Sequence, residues 1–164
     1  MSRPSPAGSQ AWILVRHAHA EWPAYRGRDF DRPLTERGLE EARATGREII
    51  TAGLLPKRIL ASSARRTEQT ARILTEPLRL PADALQLLDH LYNADAATLA
   101  AALRSAAAEG SPVLVVAHNP GISELARMLS EDRTLAPFRP AEWCAFGASG
   151  TVEASSEDDK ERPR

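Results

Sequence analysis

The sequence predicts an α/β protein, a three-layer α/β/α sandwich built on a mostly parallel central sheet. Three observations carry this reading. Short apolar runs at Ala11 to Val15, Arg58 to Ala61 and Pro112 to Ala117 are separated by segments with helical spacing of apolar residues. Each run is too short for a helix and is closed by polar residues, His17 after the first, Ser62-Ser63 after the second and His118 after the third. Helices between strands lead the chain back to start the next strand in the same direction, so those polar residues collect at one sheet edge, where ligands of such sheets gather.

Taken in order, residues 1–10 carry two prolines, a glycine and three serines and offer nothing to bury, so a loose leader is expected there. The first strand follows. From Ala18 to Pro33 the chain has Pro23, Gly27, Trp22, Tyr25, Phe30 and several charges without periodicity, which reads as a long loop. Its aromatic residues either contact a substrate or pin the loop to the body. Thr35 offers an N-cap for a helix with Leu39, Ala42, Ile49 and Ile50 on one face, ending near Gly53. Gly46 lies on that face, as expected where a helix packs closely on a sheet.

A second helix is expected from Ala64 to Thr75, with Ala71 and Leu74 facing inward. Leu85 to Leu88 reads as a weak strand, and an alanine-rich helix runs from about Asp95 to Glu109, stopped by Gly110-Ser111-Pro112. The strand ending at His118 leads into a short helix, Gly121 to Ser130. Ala141 to Ala148 makes a last strand, placed on an edge, and residues 149–164 read as a charged flexible tail. One domain spanning 11–148 is therefore expected.

Composition narrows the function. With 21 basic and 22 acidic residues the formal net charge is -1, so no overall field attracts nucleic acid or an anionic membrane. Any recognition of an anion must be local. No apolar stretch reaches the roughly 18 residues of a membrane span, and the lone Cys144 sits in an apolar run as a core residue would. A cytoplasmic protein is expected, with oligomeric state unassigned beyond a default monomer.

The three strand ends present Arg16-His17, Ser62 with Arg65 or Arg66, and His118. All are cationic or polar. Guanidinium groups clamp phosphate oxygens, helix starts add backbone N–H groups, and a neutral imidazole nitrogen can attack phosphorus. His17 and His19 have the spacing of a metal-binding His-x-His, but no cysteine or carboxylate stands at ligand spacing and Arg16 would repel a cation. No metal or other cofactor is expected.

Four motifs in order then carry a resemblance: Arg16-His17-Ala18, Arg32-Pro33-Leu34-Thr35 with Gly38, Ser62 to Thr70, and His118-Asn119-Pro120-Gly121. From about Ala11 to Phe146 the chain resembles the histidine phosphatase, or phosphoglycerate mutase-like, superfamily, and within it the short SixA-like phosphohistidine phosphatases. The resemblance implies a phosphoglycerate mutase-like fold and a metal-independent phosphatase. It makes His17 the phosphorylated nucleophile, with Arg16, Arg66 and His118 around the phosphoryl group, and puts Asp29, Arg32 and Asn119 at the substrate. The expected partner is a phosphorylated protein carrying phosphohistidine.

Two departures sharpen the substrate. Ala18 stands where most relatives have glycine, and Asp89-His90-Leu91-Tyr92 lacks the glutamate acid of mutase-type members. An ester leaves as an alkoxide and needs a proton, whereas phosphohistidine can release neutral imidazole. Asp29, His19 and His90 stay open as alternative acids. A small-molecule phosphomonoesterase acting on a sugar or nucleotide phosphate is the nearest alternative, and a non-catalytic module binding phosphorylated ligands is the alternative of another class.

Overall fold

A computed structural model describes residues 11–22 and 26–147, and the backbone of a last strand at 150–154. The expected leader at 1–10, Pro23 and Tyr25 of the long loop, the end of the last predicted strand at Ala148 and the tail beyond residue 154 lie outside the described residues. Six strands form one sheet: β1 (Trp12–Arg16), β2 (Arg58–Ser62), β3 (Leu85–Leu88), β4 (Val113–Ala117), β5 (Trp143–Gly147) and β6 (Gly150–Ala154). Their order is β3-β2-β4-β1-β5-β6, with the first four parallel and the last two antiparallel to their neighbours. Among the described residues four α-helices alternate with them: α1 (Glu36–Thr51), α2 (Arg65–Thr75), α3 (Ala96–Glu109) and α4 (Gly121–Ser130).

The central strands are apolar between their ends because both their faces are covered. Ile13 and Val15 of β1, with Leu114 and Val116 of β4, pack toward Ile49 of α1 and Leu74 of α2. Leu14, Val113 and Val115 instead meet Leu99 and Leu103 of α3 and Ile122 of α4. Alternate side chains thus feed two separate cores. Each fully buried leucine or isoleucine contributes roughly 1.5 to 3 kcal/mol. Among the described residues, no helix is long and apolar enough to cross a membrane.

The helix starts follow the expected chemistry. Thr35 caps α1 by accepting the Gly38 N–H, and Asp95 caps α3 by accepting that of Thr98. Gly46 behaves differently: a Cβ there would meet Cγ of Pro77 at 2.5 Å, so the close neighbour is the turn after α2 and not the sheet. The long loop is also less irregular than its composition implies. Its ends are joined by an Ala20–Leu34 bridge and a Glu21 N–H to Pro33 carbonyl bond of 2.9 Å, and Asp29–Asp31 forms a 3-10 turn.

At the other end of the sheet two expectations are corrected. Strand β5 is interior, between β1 and β6, and the segment read as tail from Ser149 contributes β6. The physical reason is that an edge strand is held by backbone pairing with its neighbour, which needs no apolar run to announce it.

Candidate active site

Parallel pairing brings the expected residues together. In the register Arg16 lies opposite Ala117, so His17 and His118 each occupy the first position beyond adjacent strands. The His17 N–H donates to the Ala117 carbonyl at 3.1 Å, which ties the two exits directly. The imidazole rings lie 5.4 Å apart, tilted by 59°.

His17 is 8% exposed, and its Nδ1 is 2.8 Å from the carbonyl oxygen of Ala18. A carbonyl only accepts, so Nδ1 carries the proton and Nε2 keeps its lone pair. Burial pushes the imidazole pKa well below its ordinary value; the Ala18 bond opposes this, and His118, Arg16 and Arg66 add to the lowering. Ala18 itself is unstrained. It is absent from the positive-φ residues, its methyl is buried beside Ala20, Leu34, Ala42 and Ala141, and its N–H donates to Oγ1 of Thr70 at 3.1 Å.

Arg66, the second residue of α2, is 3% exposed. Its Nη2 lies 3.2 Å from Nδ1 of His118, and because guanidinium only donates, the proton of His118 sits on Nε2 and goes to Oγ of Ser62 at 2.9 Å. Burial, then the charge of Arg66, holds the His118 pKa down at about 3. Arg65, one residue earlier, faces solvent. The Thr67 hydroxyl meets the carbonyls of Ser62 and Ala64, both at 2.7 Å, and so anchors the start of α2 to the end of β2.

Arg16 closes the opposite side. One terminal nitrogen donates to the Phe138 carbonyl at 2.8 Å, while the Nε atoms of both Arg16 and Arg66 are buried without a partner. Two guanidiniums, that of Arg66 buried and that of Arg16 half-buried, each with an unspent Nε donor beside two neutral imidazoles, make a strong local demand for an anion. On the Arg16 side lies a recess of about 310 Å³ bounded by Arg16, Asn119, Phe138 and Arg139.

The three residues expected at the substrate are disposed differently. Asp29 reaches Arg66 twice, through its carbonyl to Nη1 at 2.8 Å and through Oδ2 to Nη2 at 3.1 Å. The Tyr92 hydroxyl donates to the same Oδ2 at 2.5 Å, and Nε of Arg32 donates to Oδ1 at 2.9 Å. Partial burial pushes the Asp29 carboxyl up, but the Tyr92 hydroxyl and the charges of Arg66 and Arg32 outweigh it and leave the pKa lowered. Arg32 forms the rim, donating to the Glu21 carbonyl and lying over the Trp22 ring at 5.1 Å. Asn119 spends its amide inward, donating to the Phe138 carbonyl at 2.9 Å and accepting from the Ser123 hydroxyl.

Sequence reasoning gave no role to Thr70 or Glu41, and named Tyr92 only as part of a segment without a glutamate. Thr70 joins Ala18 to Arg66, whose carbonyl its hydroxyl meets at 2.7 Å. Glu41 is 5% exposed and accepts the His19 N–H at 3.1 Å. The one available signal was Thr70 standing one helical turn after Arg66. His19 points its Nδ1 at the Thr35 hydroxyl at 2.8 Å, and His90 lines a groove of about 650 Å³ between β3 and α3. Of the loop aromatics, Phe30 packs edge-on against Tyr92 at 5.1 Å, whereas Trp22 stays 68% exposed. Cys144 is buried in β5, where burial and then Glu142 push its thiol up to about 12.

A sheet whose two central exits carry histidines flanked by a buried and a half-buried arginine defines a class of phosphoryl-handling proteins, and comparison with known families agrees. Residues 12–99 match the family model for the histidine phosphatase superfamily (branch 1), and the chain belongs to that superfamily. An uncharacterised chloroplastic protein of Arabidopsis thaliana is 30% identical over 142 residues, covering 77% of this chain; the chain spans 62% of that relative's length. Two solved structures superpose with TM-scores of 0.78 at 25% identity. One is a candidate phosphohistidine phosphatase SixA from Agrobacterium tumefaciens, covering 90% of this chain and 99% of that one. The other is the protein histidine phosphatase SixA complexed with tungstate, covering 92% and 99%.

Proposed function

We propose that this protein is a metal-independent phosphatase that works through a phosphohistidine at His17 and acts on phosphohistidine borne by another protein. One observation carries the proposal: the Ala18 carbonyl fixes the proton of His17 on Nδ1 and leaves Nε2 as a neutral nucleophile among Arg16, Arg66 and His118. Tungstate is a tetrahedral oxyanion, and its presence in the SixA structure of the same fold supports an oxyanion site.

The chemistry takes two steps. Nε2 of His17 attacks phosphorus in line, the new P–N bond forms as the bond to the substrate imidazole breaks, and that ring, bound with its other nitrogen protonated, leaves neutral while His17 keeps its own proton on Nδ1. Water then attacks the phosphoenzyme, and orthophosphate departs. Arg16 and Arg66 neutralise the equatorial oxygens throughout.

The surroundings favour phosphohistidine over an ester because none of the three alternative acids is set up to protonate an alkoxide. Asp29 is held ionised by Tyr92, Arg66 and Arg32. His19 is engaged by Thr35, and His90 lines the groove beside β3. Incubation with a phosphoramidate followed by an alkaline quench should trap acid-labile phosphate on His17. His17→Ala should abolish the label and lower turnover by about a thousandfold or more; turnover at the native rate would falsify the assignment.

A further inference from the structure

Resting on the reading of Arg66 as the phosphoryl clamp, we infer that the Asp29 carboxylate is a built-in competitor for that clamp, which the incoming phosphoryl group displaces and which helps expel orthophosphate. The expectation from sequence was a substrate-binding Asp29, yet a carboxylate held ionised repels the anion it would have to bind. Its position explains what it does instead. Both terminal nitrogens of Arg66 are engaged by this one residue, Nη1 by its carbonyl and Nη2 by Oδ2. Those are the paired donors with which a guanidinium grips phosphate, and a carboxylate is the natural smaller stand-in for it.

The residue is also built to leave. Asp29 has a side chain 45% exposed, against 4% for Arg66, and it sits on a three-residue 3-10 turn in the long loop and not on a helix or strand. Two further groups already hold the carboxylate besides Arg66: Nε of Arg32 on Oδ1, and the Tyr92 hydroxyl on Oδ2. A short outward shift of the side chain thus frees Nη2 of Arg66 from the carboxylate while both holders keep it partnered, and Nη1 stays on the Asp29 carbonyl until the turn itself moves. Only the Asp29 side of this ion pair faces solvent, and a phosphoryl group brings more negative charge to the same donors, so displacement is favourable. After hydrolysis the same carboxylate returns and competes with orthophosphate, weakening product retention.

The competitor reading and a positioning reading predict opposite signs. If Asp29 competes, Asp29→Asn, which keeps the shape and removes the charge, tightens orthophosphate binding by about three- to fivefold. It also lowers the orthophosphate concentration that inhibits phosphoramidate turnover by the same factor. If Asp29 merely orients Arg66, the variant binds orthophosphate more weakly or unchanged, and the inference is overturned. Titration calorimetry with orthophosphate on the full chain reads the sign without requiring turnover.

Arg66→Gln separates this inference from the reading beneath it. Loss of orthophosphate binding in Arg66→Gln, with no tightening in Asp29→Asn, removes the competitor and leaves the clamp. Unchanged binding in Arg66→Gln removes both. The double variant Asp29→Asn with Arg66→Gln should bind no tighter than Arg66→Gln alone, since the competition acts only through the guanidinium; a gain that persists there also overturns the inference.

Discussion

Nη2 of Arg66 and Nδ1 of His118 lie 3.2 Å apart, and this contact sets the tautomer of His118. A donor that cannot accept forces His118 to present a lone pair, so the ring stays neutral and sends its proton to Ser62. Buried neutral histidines make the folded protein sensitive to acid. An unfolded chain protonates histidine as pH falls below about 6.5, whereas folded His118 resists until about 3. Stability is therefore full above 6.5 and declines through that window, by about 1.4 kcal/mol per pH unit for His118 once well inside it. His17, shifted in the same direction, adds to the loss. Melting temperatures between pH 6.5 and 5, above the carboxylate range, should fall steadily, and less steeply in His118→Gln.

Substrate preference gives a second prediction. Because His90 lines the β3 and α3 groove and His19 is bonded to Thr35, His90→Ala should leave phosphoramidate turnover within about twofold of native. Alkyl phosphates, whose leaving groups need a proton, should react much more slowly than p-nitrophenyl phosphate or a phosphoramidate. If His90→Ala selectively abolished alkyl phosphate hydrolysis, His90 would be the missing acid.

Much of this arrangement was legible because it is written in local signals. Thr35 before an amphipathic run specified α1, the uninterrupted apolar strands specified burial on both faces, and the motif residues at the strand exits specified Arg16, His17, Arg66 and His118. What escaped depends on contacts between distant parts of the chain. Ala18 and Thr70 are 52 residues apart, and His19 and Glu41 are 22 apart, so no periodicity links either pair. The role of Asp29 escaped for a related reason. Its spacing from Arg32 could be read, but not that its other oxygen would land on Arg66, 37 residues away. Strand β6 was hidden by its composition, since pairing along an edge uses only backbone groups.

Gly38 tests how tightly α1 is seated against the loop that follows His17. A Cβ at this position would fall 2.0 Å from the carbonyl oxygen of His19, a backbone atom that also accepts the Thr35 N–H at 3.0 Å. Gly38→Ala must push the helix and the loop apart, at a cost of about 1 to 3 kcal/mol. Both the melting temperature and turnover should drop. Gly53→Ala makes the contrast: no atom lies within 4 Å of its Cβ, and the positive φ of 76° is the sole source of its strain, so it should lose some stability and little activity.

Glu41 holds the same loop from the other side. One carboxylate oxygen accepts the His19 N–H at 3.1 Å, and the other accepts Nε of Arg37 at 2.8 Å. Because the side chain is 5% exposed, water cannot replace it readily. Glu41→Leu strands the His19 N–H and should cost about 1 to 3 kcal/mol. The loop would then hold Ala18, and with it the acceptor for Nδ1 of His17, less firmly. The effect should fall on kcat more than on KM, since the residues proposed to grip phosphate, Arg16 and Arg66, keep their own anchors at Phe138 and Thr70. Glu41→Gln retains an oxygen acceptor toward His19 and should recover most of the rate. If Glu41→Leu raised KM with kcat unchanged, the loop would be acting on substrate binding and not on the orientation of His17.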